Sequence, residues 1–283
     1  MTLYILCDGG FGNRFNSLLA GLYLAETLNQ TAHILWNPNR WCDADFHELF
    51  DTDITVSHFD PTVFFHNKNI CIMSHENQWG ISGTFYNPQQ SSWDDLVKNF
   101  TAHSGDFFYF NSLLPDWLDR EMALRLLAEH APFKSNIVEA AKTITWNKTQ
   151  GAKYLGLHIR QTDIGNNLDL TPYIKFIQDN SHIPCFVCSD DKATELNLLQ
   201  YPNVFTYQKT SYVEKFIDGD WNSPCQDDYG NWWPFNVKRS RESVIQAVVD
   251  LLILSNSEVI PTNLQSTFLQ TACLFAQYRC YQF

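Results

Sequence analysis

Three stretches of the chain carry residue types whose spacing could do chemistry. In Leu157-His158-Ile159-Arg160-Gln161-Thr162-Asp163, a histidine and an arginine stand two apart at the end of an apolar run. If that run is a strand, His158 and Arg160 share one face. They would then sit at the carboxyl end, where open α/β sheets bind ligands. An arginine fork there suits a pyrophosphate. The same spacing also permits a structural ion pair between Arg160 and Asp163, and this window alone leaves both readings open.

The second stretch is Gly9-Gly10-Phe11-Gly12-Asn13-Arg14. A glycine turn between a strand and a helix lets backbone N–H groups and the helix dipole approach an anion. It is not a dinucleotide fingerprint, because the third glycine would fall on Phe15, and no Gly-Lys-Ser/Thr follows as in a P-loop. A plain tight turn is the alternative. In the third stretch Asp250 interrupts the apolar face of a helix, and Ser266-Thr267 open the last one. A buried carboxylate needs partners, which two N–H donors on a base edge would supply. A helix start favours phosphate, although Ser266 also reads as an ordinary N-cap.

The elements that must position these residues follow an α/β rhythm. Apolar runs predict strands at 3–7, 31–36, 154–160, 184–189, 203–207 and 258–260. Helical periodicity predicts helices at 15–28, 116–130, 134–146, 172–180, 192–200, 239–256 and from Ser266 to about Tyr278. Between 37 and 145 the pattern is weaker. Residues 208–238 read as a loop rich in aromatics, with Trp221, Tyr229, Trp232 and Trp233 among Gly, Pro, Asn and Asp. Two α/β units are expected, at 1–149 and 150–283.

Composition narrows the partners. The 283 residues carry 19 basic and 31 acidic side chains, a net charge of −12, which argues against general affinity for nucleic acid. A hydrophobic share of 45% excludes a disordered chain. No run of about eighteen apolar residues spans a bilayer. The start, Met1-Thr-Leu-Tyr-Ile-Leu-Cys7-Asp8, is not a signal peptide, so a cytoplasmic location is expected. The Cys185-x-x-Cys188 pair has metal or redox spacing, yet it lies inside a strand-like run and reads as buried thiols.

In order along the chain, Gly10-Phe-Gly-Asn-Arg14, His158-x-Arg160-x-x-Asp163, Ser189-Asp190-Asp191 and Asp250-x-x-x-Leu-Ser255 leading to Ser266-Thr267-Phe268 resemble the motifs of the GDP-fucose-dependent fucosyltransferases. These include the α1,2-, α1,6- and protein O-fucosyltransferases and the rhizobial nodulation enzyme. The likeness covers residues 3–30 and about 154–276. It implies a GT-B-like fold, with two Rossmann-like domains facing across a cleft. It also implies an inverting transfer of fucose from GDP-fucose to a hydroxyl of a glycan or glycoconjugate, with no divalent metal or other cofactor. By motif position, Arg160 would hold the β-phosphate and offset charge on the departing GDP. His158 and Asp250 would contact the guanosine end, Ser266 and Thr267 the phosphate, and Asp190 would lie near the nucleotide. Gly12, Asn13 and Arg14 would face donor or acceptor from the first domain.

The departures are specific. Many relatives have Arg-Arg where this chain has Arg160-Gln161, and Ile164 replaces a lysine of the α1,6 relatives. Leu168 occupies the spacing of their catalytic glutamate, so Asp169, one later, is the candidate general base. Three Asp-x-Asp triplets, at 43–45, 51–53 and 218–220, offer a metal-dependent alternative. A donor with another sugar or nucleotide, or a non-catalytic carbohydrate-binding protein built on the tryptophans, are the other readings. The 208–238 loop is expected to border the acceptor.

Overall fold

The computed structural model describes residues 1–62, 70–74, 84–88, 91–163, 168–226, 232–259 and 266–278. Ile164, Tyr229 and the last residue of the strand expected at 258–260 lie outside the described residues. The chain forms two compact units, Met1–Pro38 with Asp45–Lys134, and Asn39–Ala44 with Ser135–Phe283.

The first unit contains β1 (Thr2–Cys7), α1 (Phe11–Thr27), β2 (Thr31–Trp36), α2 (Phe46–Leu49), β3 (Thr55–Ser57), β4 (Ile70–Ser74), β5 (Thr84–Tyr86), α3 (Trp93–Thr101), β6 (Asp106–Phe110) and α4 (Arg120–His130). Its six strands form a parallel sheet in the order β3-β2-β1-β6-β4-β5. Leu6, Leu35, Ile70, Ile72, Phe108 and Phe110 cluster as one buried core. Parallel strands need crossover segments and bury both faces; β4 and β6 are buried almost throughout, and they fall in the stretch where the sequence pattern is weaker and predicts no strand bounds. α1 begins at Phe11, four residues earlier than periodicity predicts. Gly12 and Asn13 are poor helix formers, but the buried Ser17 hydroxyl donates to Leu6 O at 2.6 Å and ties the helix to β1. α4 starts at Arg120 rather than 116, because the Asp119 side chain accepts from Met122 N–H and caps it there.

The second unit contains α5 (Ser135–Thr149), β7 (Leu155–Ile159), α6 (Thr171–Asp179), β8 (Cys185–Ser189), α7 (Lys192–Leu198), β9 (Val204–Phe205), the antiparallel ribbon β10 (Cys225–Gln226) and β11 (Trp232–Trp233), α8 (Arg241–Ser255) and α9 (Thr267–Gln277). β7, β8 and β9 are parallel, so their carboxyl ends share one edge. The division falls at 134/135 instead of 149/150, because α5 packs on α8. Next to β7, Gly156 N–H donates to Val259 O at 3.0 Å and Glu258 N–H to Tyr154 O at 2.9 Å. Only glycine fits at 156, since a Cβ there would come within 2.6 Å of Ser257 Oγ. Tyr154 OH donates to Ile253 O at 2.7 Å and fixes α8 over the strand.

Candidate functional site

The carboxyl edge of β7 and β8 gathers most of the charged residues singled out in the second unit. Arg160 follows β7 directly. Its Nε donates to Asp163 Oδ1 at 2.8 Å and its Nη2 to Asp163 Oδ2 at 2.7 Å. This side-on fork uses one edge of the guanidinium. The Nη1 edge has no hydrogen-bond partner among the described residues, and 24% of the side chain is exposed. Asp163 is buried, and it also accepts from Arg239 Nη2 at 3.2 Å. The ion pair and the ligand-facing arginine are therefore compatible. Asp163 orients Arg160 and leaves its outer donors available.

Asp190 does structural work. One carboxylate oxygen accepts Gln161 N–H at 2.7 Å and the other the Thr162 hydroxyl, which locks the turn after Arg160. Burial raises its pKa, opposed by those two hydrogen bonds and by the charges of Arg160 and Arg239. With both oxygens engaged, a direct contact with a nucleotide does not fit.

Behind this edge lies a buried ionic cluster. Lys209 pairs with Asp250 Oδ2 at 2.7 Å and with Glu195 Oε1, and its side chain is only 3% exposed. Glu195 Oε1 also accepts Ser189 N–H at 2.8 Å, while Oε2 accepts the Tyr212 hydroxyl at 2.6 Å. Burial alone would lower the Lys209 pKa, but Asp250, Cys188 and Glu195 outweigh it and hold the ammonium above its usual range. Burial pushes Asp250 up to about 6, against the pull of Lys209. Asp250 Oδ1 is buried without a hydrogen-bond partner among the described residues. The structure thus turns Asp250 toward Lys209, with little surface for a base edge to approach.

His158 is half-buried, its ring 4.9 Å from that of Phe268. Burial, then the charges of Arg160 and Lys209, push its pKa down to about 3, so it is a neutral donor and acceptor at pH 7. The Phe268 contact brings the start of α9 beside β7. Ser266 is the N-cap, its hydroxyl oxygen accepting Leu269 N–H at 3.4 Å. The N-cap reading holds, and the remaining N–H groups of that first turn still face outward from the helix start.

In the first unit, Gly9 takes a left-handed φ of +83°, which glycine tolerates, and Gly10 precedes α1 with no side-chain cap on the helix. Gly12 is buried and Asn13 half-buried. Arg14, expected to meet a ligand, is fully buried. Its Nε donates to Gly9 O and its Nη2 to Asn37 O, each at 2.8 Å, and the guanidinium lies 4.6 Å from the Trp36 ring centroid. It holds the turn from inside.

Asp169 does not fit a general base. It is exposed, accepts Thr171 N–H at 2.9 Å, and its hydrogen bonds to Thr171 lower its pKa, opposite to what proton abstraction at neutral pH favours. Leu168 packs against the β7–β8 core. Asp169→Asn is accordingly expected to leave turnover within about twofold, since it removes a base too weak to matter. A loss beyond tenfold in steady-state kinetics would restore the assignment. In the Asp-x-Asp triplets, Asp45 caps α2, Asp51 pairs with Lys134 and Asp53 with His130.

In its described residues, 208–226 and 232–238, the 208–238 segment is more ordered than a loop reading suggests. Asn236 is fully buried, accepting Phe216 and Ile217 N–H at 2.9 Å each and donating to Ile217 O at 2.7 Å. Arg40 covers the Phe216 ring at 4.1 Å, and Trp41 meets Trp233 edge-on at 5.0 Å. Trp232 is 72% exposed. Because Lys209 and Tyr212 anchor the segment's start in the ionic cluster, deleting the whole of it would disturb more than an acceptor surface.

No family model matches the sequence, and no curated protein does. Solved structures do. The α-1,6-fucosyltransferase NodZ soaked with GDP-fucose matches with a TM-score of 0.59 at 17% identity, over 96% of this chain and 91% of its own. NodZ from Bradyrhizobium gives the same TM-score at 16% identity, over 96% and 92%. POFUT1 in complex with GDP gives 0.52 at 12%, over 99% and 96%. A FUT1 mutant of Arabidopsis thaliana in complex with GDP gives 0.55 at 14%, over 97% and 68%. The chain shares their fold.

Within that fold, four residues of the edge escaped sequence reasoning: Glu195, Lys209, Tyr212 and Arg239. Glu195 left a signal, because it lies three residues before Leu198 on the buried face of α7. Lys209, Tyr212 and Arg239 sit in irregular segments, where no periodicity marks an inward side chain.

Proposed function

We propose that the chain is a glycosyltransferase that moves fucose from GDP-fucose to a hydroxyl of a glycan or glycoconjugate acceptor, with inversion and without a divalent metal. The observation that carries this reading is Arg160: a cation at the carboxyl end of β7, oriented by Asp163, with its outer donors facing away from that carboxylate. What supports fucose and guanosine is a fold shared with fucosyltransferases crystallised with GDP and GDP-fucose.

In this reading the architecture is GT-B-like. The second unit binds the nucleotide sugar, and the first serves the acceptor. Arg160 meets the β-phosphate, and its charge is most useful as GDP departs with growing negative charge. Ser266, Thr267 and the N–H groups of the α9 start meet phosphate. Neutral His158 lies toward the guanosine end. Within the second unit Asp190 and Asp250 support the β7–β8 edge from inside, while in the first unit Arg14 holds the turn that presents Gly12 and Asn13. The exposed Trp232 offers an acceptor sugar an apolar face.

Calorimetric titration with GDP, UDP and ADP in excess chelator tests the reading. Binding of GDP in preference to the other two is expected. Equal affinity for all three removes the guanosine assignment, and binding only after manganese is added removes the metal-independent one.

A further inference from the structure

We infer that Arg239 is a second diphosphate-binding residue, supplying the cation that position 161 does not. The inference rests on the nucleotide-sugar reading above. Gln161 cannot take the role, because its backbone N–H is held by Asp190 and its side-chain amide donates to Leu168 O at 3.2 Å. Arg239 arrives from far along the chain, just before the Ser240 N-cap of α8. Its backbone is fixed on both sides, with N–H donating to Arg40 O at 2.8 Å and C=O accepting Asp43 N–H at 3.3 Å. Its side chain, 19% exposed, donates through Nη2 to the same Asp163 Oδ2 that Arg160 uses.

One buried carboxylate therefore holds two partly exposed guanidinium groups, and this trio carries a net positive charge. Among the described residues, the acids near this edge do not cancel it at the surface. Asp190 is engaged by the 161–162 turn, and Glu195 and Asp250 share the buried Lys209. Among the described residues the Arg239 side chain has no other hydrogen-bond partner, so most of its five donors remain for a ligand. Two forks side by side suit a group with two adjacent phosphates better than a single phosphate or a carboxylate.

The test is titration of the wild type, Arg239→Gln and Arg239→Lys with GDP and with guanosine, with thermal unfolding as a check on folding. Arg239→Gln is expected to weaken GDP about ten- to a hundredfold, the size of a lost charge-assisted hydrogen bond, and to leave guanosine unchanged. Arg239→Lys keeps the charge without the fork and is expected to fall between. If Arg239→Gln does not fold, a several-fold loss for GDP alone in Arg239→Lys supports the role equally well. Unchanged GDP affinity in both variants, or equal losses for GDP and guanosine, overturns the role of Arg239 and leaves the wild-type reading standing. A wild type that binds no GDP overturns both.

Discussion

Arg160→Ala is expected to lower turnover of GDP-fucose about a hundred- to a thousandfold, the range seen when one preorganised donor to a developing anion is removed. The effect should fall mainly on kcat, because the guanidinium is most useful once charge has moved onto the leaving diphosphate. Folding should survive, since Asp163 keeps Arg239 as a partner. Arg160→Lys should recover little, because an ammonium cannot fork onto Asp163 and present a second pair of donors at once. Steady-state kinetics on both variants, beside their unfolding curves, measure this. A variant that stays folded and loses less than threefold would show Arg160 to be only half of an ion pair.

Lys209→Met is expected to be the most damaging single change to stability, costing about 3–5 kcal/mol, the usual range for stranding a buried charge. Glu195 and Asp250 would both lose their cation, and Ser189, at the end of β8, would lose an oriented Glu195. The loss should depend on pH in a defined sense. Burial already raises Asp250 to about 6 with Lys209 in place, and without that cation Asp250 holds its proton more tightly still in the folded state than in the unfolded one. The native variant then binds more protons than the unfolded chain, so its stability falls as pH rises. The gap to wild type should be widest near pH 8 and narrow toward pH 5. Urea unfolding at the two pH values checks this, and a gap that widens on acidification refutes the assignment.

How much of this was legible depended on the range of each interaction. β1, β2, β7 and β8 were readable because parallel strands buried on both faces leave unbroken apolar runs. The Arg160–Asp163 fork was readable as one of two options, since its partners are three residues apart. Arg239 reaches the same carboxylate from 76 residues away, and Lys209 is 41 residues from Asp250. Nothing local marks such pairings, because topology selects the partner. Asp250 shows the limit of residue-type reasoning. A carboxylate in an apolar helix does need a partner, but the partner is a lysine of the same unit. Asp169 failed for a simpler reason: next to a helix start, a carboxylate's nearest donor is the backbone.

Residues 39–44 belong with the second unit although the chain returns to the first unit afterwards. Arg40 and Asp43 supply the backbone partners of Arg239, so this part of the molecule is stitched from pieces about two hundred residues apart. At a synthesis rate of roughly 5–20 residues per second, the early piece emerges about 10–40 s before the residue it clasps. Until then the Arg239 clasp has only one half. A fragment excised at residue 135 would carry Arg160, Asp163 and Arg239 without that clasp.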